Sequence, residues 1–147
     1  MSTPITNVLR SVHLFSGLPD NELEQMAAIC RPCQSAPGEL IVQQNTTGSE
    51  IYMVGEGSVE VFIKGLADEQ VLVLLGKGQV FGEMALLDQG YRSASVRASQ
   101  EGCTCYVFAE ENFRALCKSN KNIGFTVMRN LASDLAFKLR HRNLAQI

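Results

Sequence analysis

Phe81-Gly82-Glu83-Met84-Ala85-Leu86-Leu87-Asp88-Gln89-Gly90-Tyr91-Arg92-Ser93-Ala94-Ser95-Val96 is the stretch on which the reading of this chain turns. A glycine after an apolar strand end leads into a short helix beginning near Glu83. Gly82 lets the main chain come close to a ligand. The first amides of such a helix lack internal partners and face an anion. Arg92 follows nine residues after Glu83, and then come small residues and a strand. A guanidinium holds phosphate oxygens through two parallel hydrogen bonds. Ser93 and the amide of Ala94 add donors without crowding. Glu83 does not suit a phosphate, but a carboxylate accepts from a ribose hydroxyl, as the acidic residue of dinucleotide folds does. Arginine for phosphate and glutamate for ribose describe a nucleotide cradle. A surface Glu–Arg ion pair worth ~0–1 kcal/mol is the other reading, and the residue types alone leave the two open.

On either side of this stretch the texture changes in an informative way. Nine of the twelve glycines fall between residues 38 and 90. Residues 40–42, 51–54, 59–63, 71–75, 95–98 and 103–108 read as short strands. Turn clusters separate them at Asn45-Thr46-Thr47-Gly48, Gly55-Glu56-Gly57, 64–68 and Gly76-Lys77-Gly78. The expected fold is mainly β with flanking helices: an antiparallel, jelly-roll-like β-roll of about eight strands. Residues 3–30 read as helix in two pieces, broken at Gly17-Leu18-Pro19. After Ala109, Phe113, Leu116 and Cys117 mark one short helix. Ile123, Val127, Leu131, Leu135 and Leu139 then form a stripe along a long one. That stripe fits packing on the roll and a dimer seam equally well. The whole chain, 1–147, reads as a single domain: N-terminal helices at 1–32, the β-roll at 33–109 with its cassette at 81–96, and C-terminal helices at 110–147.

Composition limits the function classes. With 147 residues, 46% hydrophobic and 19% charged, the chain has enough apolar surface for a real core. A net charge of -2 gives no global pull toward nucleic acid or anionic membrane. No apolar run nears the roughly 20 residues that span a bilayer. The first ten residues lack a signal-peptide pattern, so a cytoplasmic location is expected. Five cysteines, an odd number, argue against a full disulfide framework. Cys30 and Cys33 form a C-x-x-C that reads as closing a helix; reduced, structural thiols are expected, with a redox or metal sensor as the alternative. The two histidines, His13 and His141, sit at opposite ends, and no acid–base pair or nucleophile elbow accompanies them. No catalytic residue and no metal site is therefore assigned.

F-G-E-M-A-L-L at 81–87 followed by R-S-A-S-V at 92–96 closely resembles the phosphate-binding cassette of the cyclic-nucleotide-binding domain family. That family includes catabolite activator protein, regulatory subunits of cyclic-AMP-dependent kinase and cyclic-nucleotide-gated channels. His13-Leu14-Phe15-Ser16-Gly17-Leu18-Pro19, Gly38-Glu39-Leu40-Ile41 and 48–57 extend the similarity over roughly residues 10–140. The resemblance implies that Glu83 accepts from the ribose 2′-hydroxyl and that Arg92 pairs with the cyclic phosphate. Ser93 and the Ala94 amide complete the phosphate shell, and Gly82 and Ala85 supply close backbone contacts within a segment that also holds Phe81 and Met84. It implies a lid from the terminal helix, with Phe137, Lys138, Leu139, Arg140, His141 and Arg142 as candidates. The ligand is then cyclic AMP in preference to cyclic GMP, with no other cofactor. Binding is passed through the C-terminal helix to a protein partner or a homodimer. A ligand-independent oligomerisation domain with a silent pocket is the competing reading. The turn at Gln44-Asn45-Thr46-Thr47 lacks the Gly-Asp often found there and reads as distal to the site. The chain runs about eight residues past Leu139, so no helix-turn-helix is expected.

Overall fold

The computed structural model describes residues 4–88 and 90–146, with side chains from 5 to 141 apart from that of Gln89. Within the expected single domain and its cassette, residues 1–3, Gln89 and residue 147 thus lie outside the described residues. Helix α1 (Pro4–Arg10), a 3₁₀ turn (His13–Phe15) and α2 (Asp20–Ala28) open the chain. Strands β1 (Arg31–Ser35), β2 (Leu40–Val42), β3 (Glu50–Lys64), β4 (Glu69–Leu75) and β5 (Val80–Phe81) follow. A 3₁₀ helix (Glu83–Leu86) leads to β6 (Ser95–Ala109), then α3 (Glu110–Ser119) and α4 (Lys121–Gln146).

All strand pairs are antiparallel, in the order β1-β6-β3-β4, with β2 also on β6 and β5 also on β3. The β-roll with flanking helices is thus as expected, but its strands are divided differently. Gly55-Glu56-Gly57 is not a turn. It lies inside β3, where the pairing with β6 shifts between Val54 and Glu56 and again between Gly57 and Val59. Such bulges bend a strand without ending it. Residues 95–98 and 103–108 are likewise one strand, β6. Six strands therefore form the roll among the described residues, and two of them each carry what the sequence divides in two. β1 falls where the sequence suggests a helix end, so Cys33 belongs to a strand rather than to α2.

Period-2 alternation along β3 feeds two cores. Ile51 and Met53, both fully buried, join Phe15, Phe108, Phe113 and the helices on one side. Tyr52, Val54 and Val59 join Phe81, Val96, Cys105 and Val107 inside the roll. The long helix contributes Ile123, Val127 and Leu131 to the helical core, each at most 1% exposed. Leu135 is only partly buried there, and Leu139 is 59% exposed. The cause is helical phase: at 3.6 residues per turn a step of four overshoots by about 40°, so the stripe winds off the core within a few turns. Asn130 fixes the anchored half by donating to the carbonyls of Leu14 (2.9 Å) and Ser16 (2.8 Å). Among the described residues no helix is long and apolar enough to cross a membrane.

Leu131→Ala is expected to cost about 2–5 kcal/mol of unfolding free energy, while Leu139→Ala stays within about 0.5 kcal/mol of the parent. Urea denaturation of both variants checks this contrast.

Candidate functional site

The site is built where three loops meet: the one before β3, the β5–3₁₀ junction, and the one leading into β6. Arg92 joins them. Its guanidinium donates to the carbonyl of Glu50 at 2.9 Å and to that of Gly82 at 3.4 Å. Two glycines make room for it. A Cβ on Gly48 would lie 2.6 Å from an Arg92 nitrogen. A Cβ on Gly82 would lie 2.8 Å from both Arg92 and the Glu50 carbonyl, and Gly82 also has φ +80°, which side chains disfavour. The main chain of Arg92 is clamped as well. Its amide donates to Thr46 O at 2.7 Å, and its carbonyl accepts from the amide of Asn45 at 2.9 Å. Thr47 and Tyr91 form a bridge alongside. The 44–47 turn is therefore not distal: it holds the arginine's backbone. Asn45 adopts φ +67°, a left-handed conformation that asparagine tolerates better than most residues.

Nearby, Tyr52 and Phe81 stack with ring centroids 4.8 Å apart. The Tyr52 hydroxyl donates to Glu50 Oε1 at 3.2 Å. Burial first, and the Glu50 carboxylate second, push its pKa up to about 12, so it stays a protonated donor.

A cavity of about 490 Å³ opens beside this joint. Phe81, Gly82, Glu83, Met84, Ala85, Arg92, Ser93 and Ala94 all line it, so every cassette residue singled out in the sequence reaches one space. Val42, Val61, Val73, Leu75 and Val96 add an apolar part to the lining, and Asp88 and Tyr91 also reach it. The helix after Gly82 is a single four-residue turn, and within it the Ala85 amide donates to the Gly82 carbonyl at 3.2 Å. A second cavity of about 210 Å³ adjoins the first under α4, sharing Leu75, Val80, Glu83 and Lys138. Glu83 thus stands between the two. Burial raises its carboxyl pKa, and the charge of Lys138 opposes that rise.

Of the lid candidates whose side chains are described, the structure brings only Lys138 to the cavity. About 100° of turn per residue puts Lys138 and Asp134 on the face of α4 that carries Val127 and Leu131. Lys138 Nζ pairs with Asp134 at 3.1 Å. Phe137 and Arg140 point elsewhere, and Phe137 stacks on His141 with ring centroids 3.8 Å apart, outside the cavity. The side chain of Arg142 lies outside those described.

The C-x-x-C does not make a facing pair. Cys30 packs against the helical core, its thiol donating to Met26 O at 3.2 Å, and burial pushes its pKa up to about 12. Cys33 packs against the interior of the roll. Among the described residues no cluster of histidine, cysteine or carboxylate side chains could hold a metal ion.

Comparison with known proteins places the fold in a family. Residues 32–120 match the family described as cyclic nucleotide-binding domain. The chain is 36% identical over 132 residues to the cyclic AMP receptor protein of Thermus thermophilus, covering 89% of this chain and 59% of that protein. It is 31% identical over 109 residues to human cGMP-dependent protein kinase 2, covering 73% of this chain and 14% of the kinase. The crystal structure of Thermus thermophilus catabolite activator protein superposes with a TM-score of 0.80 at 34% identity, over 91% of this chain and 61% of that one. The chain belongs to the cyclic-nucleotide-binding domain family. It spans less than two thirds of the length of these curated relatives.

The raised pKa of Glu83 carries a stability cost. A carboxyl that binds its proton more firmly folded than unfolded loses stability as pH rises from its unfolded value through its native one. Glu83→Gln removes that loss. Its Tm by scanning calorimetry is expected above the parent's at pH 7, with the gap closing at about pH 4. A lower Tm at pH 7 would mean that Lys138 outweighs burial.

Proposed function

We propose that this domain is a cyclic-nucleotide sensor, with cyclic AMP preferred over cyclic GMP, that signals through its C-terminal helix. One observation carries the reading. A guanidinium and a carboxylate nine residues apart in the chain line one cavity together with a group of valine and leucine side chains. In this reading Arg92 binds the cyclic phosphate, with Ser93 Oγ and the Ala94 amide adding donors. Its guanidinium meets the two exocyclic oxygens of the monoanionic cyclic phosphate without losing its posture, because main-chain carbonyls already orient it. Glu83 accepts the ribose 2′-hydroxyl. The valine and leucine wall takes the base, a planar group that apolar contact suits. A volume of about 490 Å³ lies within the usual roughly 300–1,000 Å³ of small-molecule pockets.

Lys138 supplies the link to α4. It stands at the mouth of the cavity, paired with Asp134, on the half of the helix that the core does not hold. A bound nucleotide competes for its charge and shifts an equilibrium of that half. Phe125, Phe137 and Leu139, each more than half exposed, offer the surface on which a protein partner or second copy reads the change. The preference for cyclic AMP rests on the stronger likeness to a relative named as a cyclic AMP receptor. No reaction is assigned to the domain.

Isothermal titration with cyclic AMP and then cyclic GMP tests the reading. Arg92→Ala is expected to weaken binding by about 2–5 kcal/mol, the range for truncating a buried charge partner. Glu83→Ala is expected to weaken it most for ligands with a free 2′-hydroxyl. Parent-like affinity in Arg92→Ala would overturn the phosphate assignment.

A further inference from the structure

Three of the five cysteines meet on one face between β1 and β6. Cys33 lies directly opposite Cys105 in the strand register, and Ser35 lies opposite Cys103. Residues two apart on a strand share a face, so Cys103 and Cys105 both point into the roll, and their sulfurs are 3.8 Å apart. Cys33 packs onto the same interior cluster from the sheet's edge strand.

Strand geometry decides which sulfurs can bond. Directly opposed residues of an antiparallel pair have Cα atoms about 4.5–5.5 Å apart, inside the roughly 4.4–6.8 Å that a disulfide needs. Cys103 and Cys105 are separated along one strand by two rises of about 3.4 Å, at the edge of that range and with parallel Cβ directions. The diagonal Cys33 and Cys103 are about 7–8 Å apart, beyond it. Cys30 packs in the other core. We propose that Cys33 and Cys105 are an oxidisable pair that closes as a cross-strand disulfide when the protein meets a hydroperoxide.

Exposure sets the order of events. Cys33 is only partly buried, whereas Cys105 is 1% exposed and Cys103 is 7% exposed. Burial hides both interior thiols from solvent and raises their pKa, so the oxidant reacts first at the more accessible Cys33. The Cys33 thiolate attacks one peroxide oxygen. An S–O bond forms, the O–O bond breaks, and hydroxide leaves to become water with the thiol's proton. The Cys105 sulfur then displaces that oxygen as a second water. An S–S bond forms, an S–O bond breaks, and the Cys105 proton leaves with the water. Two thiols are oxidised by two electrons in total, and one hydrogen peroxide is reduced to two waters. The product ties β1 to β6 within the interior cluster that also holds Tyr52 and Phe81. This inference does not depend on the ligand reading above.

The test is exposure of the full chain to a small excess of hydrogen peroxide, alkylation of the remaining thiols, and non-reducing proteolysis with fragmentation mass spectrometry. A Cys33–Cys105 link is expected, two hydrogens lighter than the two reduced peptides, with Cys30, Cys103 and Cys117 alkylated. Cys33→Ser is expected to lose the link. The Cys30→Ser/Cys103→Ala double variant is expected to keep it and to melt at a higher temperature oxidised than reduced, because the cross-link restricts the unfolded chain. A Cys30–Cys33 or Cys103–Cys105 link in the parent, or five alkylatable thiols after exposure, overturns the proposal.

Discussion

The candidate site depends on one half-buried, hydrogen-bonded cation. Arg92 donates to two main-chain carbonyls, Glu50 at the start of β3 and Gly82 at the end of β5. Its own backbone is tied to the 45–46 turn. A single side chain thereby fastens the three loops that rim the cavity. Carbonyl acceptors neutralise no charge, so the guanidinium keeps its full attraction for an anion while its orientation is fixed. That is preorganisation: the ordering of a long, flexible side chain is complete before a ligand arrives. Gly48 and Gly82 are the steric condition for it, because any side chain at either would take the space the guanidinium fills.

The remainder of the fold serves this joint and the helix above it. β3 supplies the Glu50 carbonyl at one end and, further along, Val61 to the apolar wall. Its alternating side chains contribute to both cores, Ile51 and Met53 to the helical one and Tyr52, Val54 and Val59 to the one inside the roll. α4 is divided by its own periodicity. Its first turns are buried and its Asn130 is bound to the 13–16 segment, but from Leu135 onward the apolar stripe leaves the core. Lys138 lies on this less constrained half and still reaches the cavity. The helix is thus fixed at one end, and at the other its Lys138 pairs with Asp134 beside the cavity that Glu83 also lines.

The cassette was legible in the sequence because its chemistry is local: a glycine, an acid, an arginine and small residues in order, all within one segment. The β-roll was legible from short apolar runs. Strand boundaries were not. Glycine marks a turn and a bulge alike, so Gly55-Glu56-Gly57 read as the end of a strand that in fact continues. β1 escaped notice because Arg31, Pro32 and Gln34 are exposed and give it no apolar alternation. The 44–47 turn was misplaced, and the Glu50 carbonyl and the role of Gly48 were missed, for a shared reason. Main-chain acceptors and empty space have no residue-type signature, and only the fold brings them to Arg92. The lid candidates narrowed to Lys138 once helical phase was known. The C-x-x-C lost its meaning once a helix end and a strand start separated its two sulfurs into different cores.

A crystal structure of the domain with cyclic AMP tests the account most directly. The cyclic phosphate is expected on the Arg92 guanidinium, beside Ser93 and Ala94, with that side chain still directed by Gly82 and Glu50 and the ribose at Glu83. A nucleotide seated elsewhere, or an arginine turned out of the 490 Å³ cavity in the complex, would contradict it.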